Sequence, residues 1–412
     1  MILYNLAIRC LQGLFWVASP FHTKAKAFVT GRKGIFDKLA EFAVQNPHPL
    51  WMHCASLGEF EQGRPVLETL RHDNPGLPIL VTFFSPSGYE IRKNYQGADG
   101  VFYLPLDTPS NASRFVDTIR PRLAIFVKYE FWYNYSLELH KRQIHIVSIS
   151  CIFRRDQVFF KWYGSLFRKI LGFFDYFFVQ NTESIELLKK IGITKTALAG
   201  DTRFDRVYQI VKQAEELPIA RRFKDGQKLF VIGSCWQEDL HILTPFIARH
   251  QEAMKFILAP HEISEEFLSA IERTLEVKTI RYSVAKNAVT DARVLLIDNI
   301  GMLSRLYAYG EFAYVGGAFG KGLHNILEAA CYGIPIFFGN KNFQKFKEAT
   351  DLIMRGGAFD VANFVDLEEK YESLNNNPQN FLLACDVSKQ YVTENLGATR
   401  KIIQYCKTYL KP

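Results

Sequence analysis

At 412 residues the chain exceeds the roughly 250–300 residues at which a single hydrophobic core stops growing, so two domains are expected. Hydrophobic residues at 48% and charged residues at 22% exclude wholesale disorder, and seven cysteines, odd in number and never spaced C-x-x-C, exclude a disulfide framework or a zinc site. A net charge of +8 favours an anionic partner such as a phosphorylated lipid or an acidic membrane face, and without RNA-binding or zinc-finger signatures no nucleic-acid partner is expected.

The first twenty residues, MILYNLAIRCLQGLFWVASP, carry a polar stripe of Asn5, Arg9, Gln12 and Trp16 at helical spacing. Ile2, Leu3, Leu6, Cys10, Leu14 and Val17 lie on the other side, and Lys24, Lys26, Arg32, Lys33 and Lys38 follow. The pattern predicts a helix over 1–20 lying in a membrane interface, tied down by basic residues on anionic lipid. A spanning helix would be short and interrupted by Arg9, and a cleaved signal lacks a basic residue ahead of the apolar run. An amphipathic core helix is the alternative.

Short apolar runs then alternate with helical stretches. They are 50–56, 78–84, 123–127, 144–150 and 176–180, followed by 228–233, 255–260, 293–298, 312–317 and 335–339. Runs apolar on both faces and separated by helices predict parallel sheets covered on both sides, and two sets predict two doubly wound domains, 21–208 and 225–395. Residues 206–227, polar and charged, read as the linker, and 396–412 as a terminal helix.

In such folds ligands bind beyond the carboxyl ends of the strands, where polar and glycine residues concentrate here. The densest signal is GGAFGKGLHNILEAA at 316–330. Gly316 and Gly317 allow a tight turn whose N–H groups can approach an anion, and His324 and Asn325 open a helix whose N-terminus can hold a phosphate. Glu328 shares their face and can accept hydrogen bonds from ribose hydroxyls. An ordinary helix start with a first-turn Glu is the bland alternative. The loop lacks the spacing of a Walker A motif, and His261-Glu262 lacks the second histidine of a zincin helix. No D-x-D pair occurs, so a metal-independent reaction without cofactor is expected. Glu59, in Ser56-Leu57-Gly58-Glu59 at the end of run 50–56, is a candidate general base or merely a helix-terminal Glu.

Taken in order, WMHCASLGE (51–59), VTFFSPSG (81–88), YLPLD (103–107), RPRLAIFVKYEFWYN (120–134), QNTESIELLKKIG (180–192), GDTRFD (200–205), IDNIGMLSRLY (297–307), VGGAFGKGLHNILEAA (315–330) and NLGATRKI (395–402) resemble the bacterial Kdo (3-deoxy-D-manno-octulosonic acid) transferases of lipopolysaccharide assembly. The resemblance implies a GT-B fold of two facing Rossmann-like domains with an interdomain cleft. It also implies inverting transfer of Kdo from CMP-Kdo to a lipid A precursor at the cytoplasmic face of the inner membrane. Glu59 then falls on the catalytic base and Glu130 on a second functional carboxylate. Arg203, Ser234, His261, Gly301, Gly316, Gly317, His324, Asn325 and Glu328 fall on the donor side, and Ser56 and Gly58 on the acceptor side. Lys128, Tyr133, Arg203, Trp236 and His261 depart from the residues usual in that family. Segment 152–174 interleaves Arg154, Arg155, Lys161, Arg168 and Lys169 with eight aromatics. It is expected to meet an anionic, acylated acceptor near the N-terminal helix, its plain alternative being a core helix with a solvated basic edge. Two other functions stay open: a GT-B transferase using a UDP-sugar on a lipid-linked acceptor, and a membrane-bound protein that kept the fold without the chemistry.

Overall fold

A computed structural model describes residues 2–285 and 287–410. The chain forms two units, Met1–Arg206 with Leu396–Pro412, and Val207–Asn395. The first holds β1 Leu50–Cys54, β2 Ile79–Phe83, β3 Gly100–Tyr103, β4 Leu123–Val127, β5 His145–Cys151, β6 Tyr176–Val179 and β7 Thr196–Leu198. They pair in parallel in the order β3-β2-β1-β4-β5-β6-β7. The second holds β8 Lys228–Cys235, β9 Met254–Pro260, β10 Thr279–Arg281, β11 Val294–Leu296, β12 Phe312–Val315, β13 Ile336–Gly339 and β14 Ala358–Val361, in the parallel order β10-β11-β9-β8-β12-β13-β14.

Each of the ten apolar runs contains a strand. β1, β2 and β4 are buried along their whole length, so both faces need cover. In β1, Trp51 packs into one apolar cluster while Leu50, Met52 and Cys54 pack into another on the opposite face. The helix Ala398–Cys406 closes the second cluster with Ile402, Ile403 and Cys406 and so belongs to the first unit. Residues 206–227, expected as a linker, instead carry the end of the helix Thr202–Lys212 and the helix Pro218–Lys224. The latter is held in the second unit by buried Ala220 and Phe223, with Lys255 Nζ donating to the Phe223 carbonyl at 2.7 Å.

Three N-terminal helices, α1 Ile2–Ala18, α2 Thr23–Thr30 and α3 Ile35–Gln45, precede β1. α1 has three sides. Ile8, with Tyr4 and Phe15, packs inward, and Phe15 stacks on Phe28 of α2 at 3.9 Å. Arg9, Gln12 and Trp16 are exposed on the polar stripe, whereas Asn5 accepts a bond from Asn134 Nδ2 at 2.9 Å. Ile2 (85% exposed), Leu3, Leu6, Leu14 and Val17 point outward. A buried carboxylate anchors the helix. Asp107 accepts from Tyr4 Oη at 2.6 Å and from the amides of Asn134 and Tyr135 at 3.0 and 2.9 Å. Burial pushes its pKa up to about 6 against those bonds. Arg32, just beyond α2, is equally enclosed: it donates to the carbonyls of Phe28, Leu104 and Phe84 and lies 3.7 Å from the Phe28 ring centroid.

Segment 152–174 is not one helix. It forms an extended loop, a 3-10 turn Val158–Phe160 and the short helix Ser165–Leu171. Phe153, Phe159, Phe173 and Phe174 are buried, with Phe160 and Phe167 packed against them, which leaves Trp162 and Tyr163 exposed. Six of the aromatics therefore serve the core. Arg168 folds back onto the carbonyls of Phe159 and Lys161 at 3.1 and 2.8 Å. The segment does approach α1, because Phe173 and Tyr4 both pack on Tyr133.

Replacing Tyr4 by Phe leaves an Asp107 oxygen short of a donor in a buried site. The expected cost is about 1–2 kcal/mol, concentrated in α1. Amide hydrogen exchange should rise over α1 while the strands keep their protection.

Candidate active site

In an open parallel sheet a crevice opens where neighbouring strands send their connections to opposite faces. In the first unit this happens between β1 and β4. Helix α4, Leu57–Asp73, leaves β1 and buries Phe60, Val66, Leu67 and Leu70 on one face. The helix Tyr133–Lys141, after β4, buries Tyr135 and Leu139 on the other. Glu59 sits in the first turn of α4, and Ser56, at its N-cap, donates its hydroxyl to Glu59 Oε2. A side chain at Gly58 would meet nothing nearer than Ser56 Oγ at 3.8 Å, so the approach over this turn is open. Gly88 closes the turn from behind: a Cβ there would stand 3.0 Å from the Ser56 carbonyl carbon. That crowding calls for glycine.

Glu130 follows β4 through Lys128, whose φ of +67° puts a non-glycine residue in the left-handed region. Its Oε2 lies 2.8 Å from Trp132 Nε1, which donates, and 3.2 Å from His53 Nε2. His53 is fully buried on β1, and with Nε2–H donated to Glu130 its Nδ1 accepts from Thr82 Oγ1 at 2.8 Å. Both carboxylates act on the buried Cys54 thiol, whose pKa is raised by desolvation first and then by Glu59 and Glu130. Glu59 and Glu130 thus follow the neighbouring strands β1 and β4, and His53 and Trp132 fix the second carboxylate. Sequence reasoning passed over His53, whose signal was a histidine inside a strand otherwise apolar on both faces.

Arg203, grouped with the donor residues in the sequence, lies in the first unit. Its guanidinium takes Asp201 Oδ2 with Nε and Nη2, both at 2.8 Å. Asp201 is held by Gln62 Nε2 at 3.2 Å, and Thr202 Oγ1 donates to the Gln62 carbonyl. Arg203 is thus tied to the helix that carries Glu59. Of the basic acceptor candidates, Arg155 pairs with Glu183 at 3.3 Å, Lys161 is half-buried, and Arg154 lies close enough to oppose the raised pKa of the Tyr129 phenol, beside Glu130.

In the second unit the crevice lies between β8 and β12, whose ends carry Ser234 and Gly316-Gly317. A Cβ at Gly316 would meet the Ser234 carbonyl oxygen at 2.4 Å, and Gly317 has φ +96°, so neither position tolerates a side chain. Asp239, missed in the sequence, holds this corner: it accepts from Trp236 N, Gly317 N and Tyr314 Oη at 2.9, 3.1 and 2.8 Å. Trp236 stacks on His261 at 4.1 Å and donates Nε1 to His324 Nε2 at 2.9 Å. Burial, then His261, pushes the His324 pKa down to about 4, so the ring is neutral at pH 7 and carries its proton on Nδ1. Lys321 Nζ lies 4.3 Å from the Trp236 ring. Gly301, at φ +95°, follows β11, and Leu303 from the same stretch reaches Gly233 at the end of β8.

Two expectations for the glycine loop change. The helix opened by His324 and Asn325 is a single turn, Leu327–Ala330, with Asn325 Oδ1 accepting from Leu327 N at 3.2 Å and Asn325 Nδ2 donating to Glu328. Four residues sum too few peptide dipoles to serve as a phosphate site. The amides of Gly316, Gly317, Gly320, Gly322, Leu323 and His324 are also bonded within the protein.

The family model for 3-deoxy-D-manno-octulosonic-acid transferase matches residues 30–206. A 3-deoxy-D-manno-octulosonic acid transferase from Aquifex aeolicus is 29% identical over 332 residues, covering 79% of this chain and 85% of that protein. Its namesake from Haemophilus influenzae is 26% identical over 439 residues, covering 98% and 96%. Among solved structures, UDP-GlcNAc 2-epimerase from Neisseria meningitidis superposes with a TM-score of 0.62 at 13% identity, covering 87% of this chain and all of that one, a likeness of fold alone. With two parallel seven-stranded sheets of the GT-B class, the chain carries over residues 30–206 the domain of the 3-deoxy-D-manno-octulosonic acid (Kdo) transferase family of glycosyltransferases.

Proposed function

We propose that the protein transfers Kdo from CMP-Kdo to a lipid A precursor with inversion at the anomeric carbon, Glu59 acting as general base. The observation that carries this reading is the Glu59 turn: a carboxylate at the first sheet's crevice, one oxygen fixed by Ser56, with open space above Gly58. The other oxygen takes the proton of the acceptor hydroxyl as that oxygen bonds to the anomeric carbon. The bond from that carbon to the phosphate oxygen breaks, and CMP departs with the electron pair. Arg203, oriented by Asp201, is a planar cation suited to the phosphate or to the Kdo carboxylate. Neutral His324 offers Nδ1–H, and Glu328 offers acceptors for ribose hydroxyls. Glu130, held by His53 and Trp132, supplies a second fixed negative charge beside the base.

Glu59→Gln should leave CMP-Kdo binding nearly unchanged by calorimetry and lower turnover about 10²–10⁴-fold. Turnover near that of the parent would remove Glu59 from the role, and equal rates with UDP-sugars would remove CMP-Kdo as donor.

We also propose that transfer needs no divalent cation. The leaving group carries one phosphate, and among the described residues no three His, Cys, Asp or Glu side chains are grouped to hold a metal ion. Rates should survive excess chelator. Loss on chelation with recovery on Mg²⁺ or Mn²⁺ contradicts this.

α1 is proposed to lie in the inner-membrane interface on the cytoplasmic side. Among the described residues no single helix is long and apolar enough to cross a membrane, although α1 and α2 pass that test together despite a 120° bend. Supporting the interfacial reading are the outward Ile2, Leu3, Leu6 and Val17 and the lysines that follow. Because Tyr4 and Ile8 pack inward, deletion of α1 would injure the fold, and substitution of the outer face is the cleaner test. Gln at Leu3, Leu6 and Val17 together should lower co-sedimentation with anionic vesicles about tenfold or more without changing Tm. Unchanged sedimentation would argue against the interfacial helix.

A further inference from the structure

An apolar concavity of the first unit lies between α1, α2 and the turn after β2. It has a volume of about 550 Å³ and is walled by Leu14, Phe15, Ala18, Phe28, Phe84 and Pro86. That size falls among small-ligand sites, which run roughly 300–1,000 Å³. Its walls are firm: Phe15 stacks on Phe28, and Arg32 ties the carbonyls of Phe28 and Phe84 together from behind. Leu14 belongs both to the cavity and to the exposed apolar face of α1, so the two surfaces are continuous. His22 and Lys24 stand at its edge.

The same wall also builds the Glu59 turn. Ser85, on the cavity, donates its amide to the Ala55 carbonyl at 2.8 Å, and Gly88, three residues on, packs against the Ser56 backbone. Anything seated in the cavity is thus one turn of chain from the proposed base. Two adjoining features need one ligand with two parts: a hydroxyl for Glu59, and an apolar chain that follows Phe84 and Pro86 away from it. Lys24 and His22 complement an anionic group near the join. We propose that this cavity is an acyl-chain subsite that takes one fatty chain of the acceptor glycolipid and sets its sugar hydroxyl at Glu59. The assignment rests on the acceptor reading given above.

The probe is an acylated glucosamine disaccharide phosphate carrying a diazirine at one acyl terminus, with the parent protein in mixed micelles. Label is expected on peptides within 11–28 and 84–86, displaced by unlabelled acceptor and not by the same concentration of phosphatidylglycerol. A second arm uses Ala18→Trp, which fills the cavity from a position outside the proposed catalytic groups. KM for the acylated acceptor should rise about tenfold, the cost of excluding about two methylenes, while KM for the deacylated disaccharide and for CMP-Kdo stay unchanged. Label displaced equally by phosphatidylglycerol would make the cavity a seat for bulk lipid and overturn the proposal. So would label elsewhere, or equal effects of Ala18→Trp on both acceptors. Failure of the parent protein to transfer Kdo to either acceptor would instead strike the acceptor reading. The labelling arm measures occupancy without chemistry and tells the two failures apart.

Discussion

Strands β1 and β4 run side by side, in register from Leu50 against Leu123 to His53 against Phe126, and then part company. α4 turns to one face of the sheet and the Tyr133–Lys141 helix to the other. Neither helix can cover the gap above the shared strand ends, because each is committed to burying its own apolar face. Everything polar in the first unit's site follows from that divergence. Glu59 rides the first turn of the helix leaving one way, and Glu130 the turn leaving the other. The second sheet repeats the arrangement at β8 and β12, which carry Ser234 and the glycine pair.

Both sheets also reinforce the crevice with the same local device. β5 and β8 each carry a bulge, and in each a serine with positive φ precedes a buried cysteine: Ser150-Cys151 and Ser234-Cys235. A left-handed non-glycine residue costs on the order of 1 kcal/mol, so the surroundings must hold it. The following carbonyl does part of this: Cys151 O accepts from Gln180 N at 2.8 Å and Cys235 O from His261 N at 2.9 Å. Each bulge thereby locks the end of the neighbouring strand. In the second sheet that lock sets His261 under Trp236 and, through Trp236, the tautomer of His324.

How much of this was legible depended on whether burial was two-sided. The ten runs visible as strands occupy the sheet interiors. β3, β7, β10 and β14 escaped notice because they are edge strands of three or four residues and partly exposed. The linker reading of 206–227 failed because its charges sit on the outer faces of helices whose inner faces are short, such as Ala220 and Phe223. At the site, glycine spacing pointed to the 316–330 loop but not to the direction of its amides, which Asp239, a carboxylate 78 residues before Gly317, helps decide. Likewise nothing near Glu130 in the chain announces His53. Long-range hydrogen bonds leave no periodic trace.

α1 shows the same limit from the opposite side. Its sequence reads as one polar stripe against one apolar flank, yet the helix has two apolar faces separated by about a third of a turn. Tyr4, Ile8 and Phe15 share one face of the helix and turn inward. Leu3, Leu6, Leu14 and Val17 turn outward. Periodicity alone cannot say which face the domain uses, since water penalises both alike. The choice is made by polar groups: Tyr4 must reach Asp107, and Asn5 must reach Asn134, both buried in the first unit. With the two apolar faces penalised alike, the loss of the Asp107 carboxylate's phenol donor decides between them. The buried acid therefore fixes the rotation of the helix, and the rotation fixes which apolar residues remain exposed.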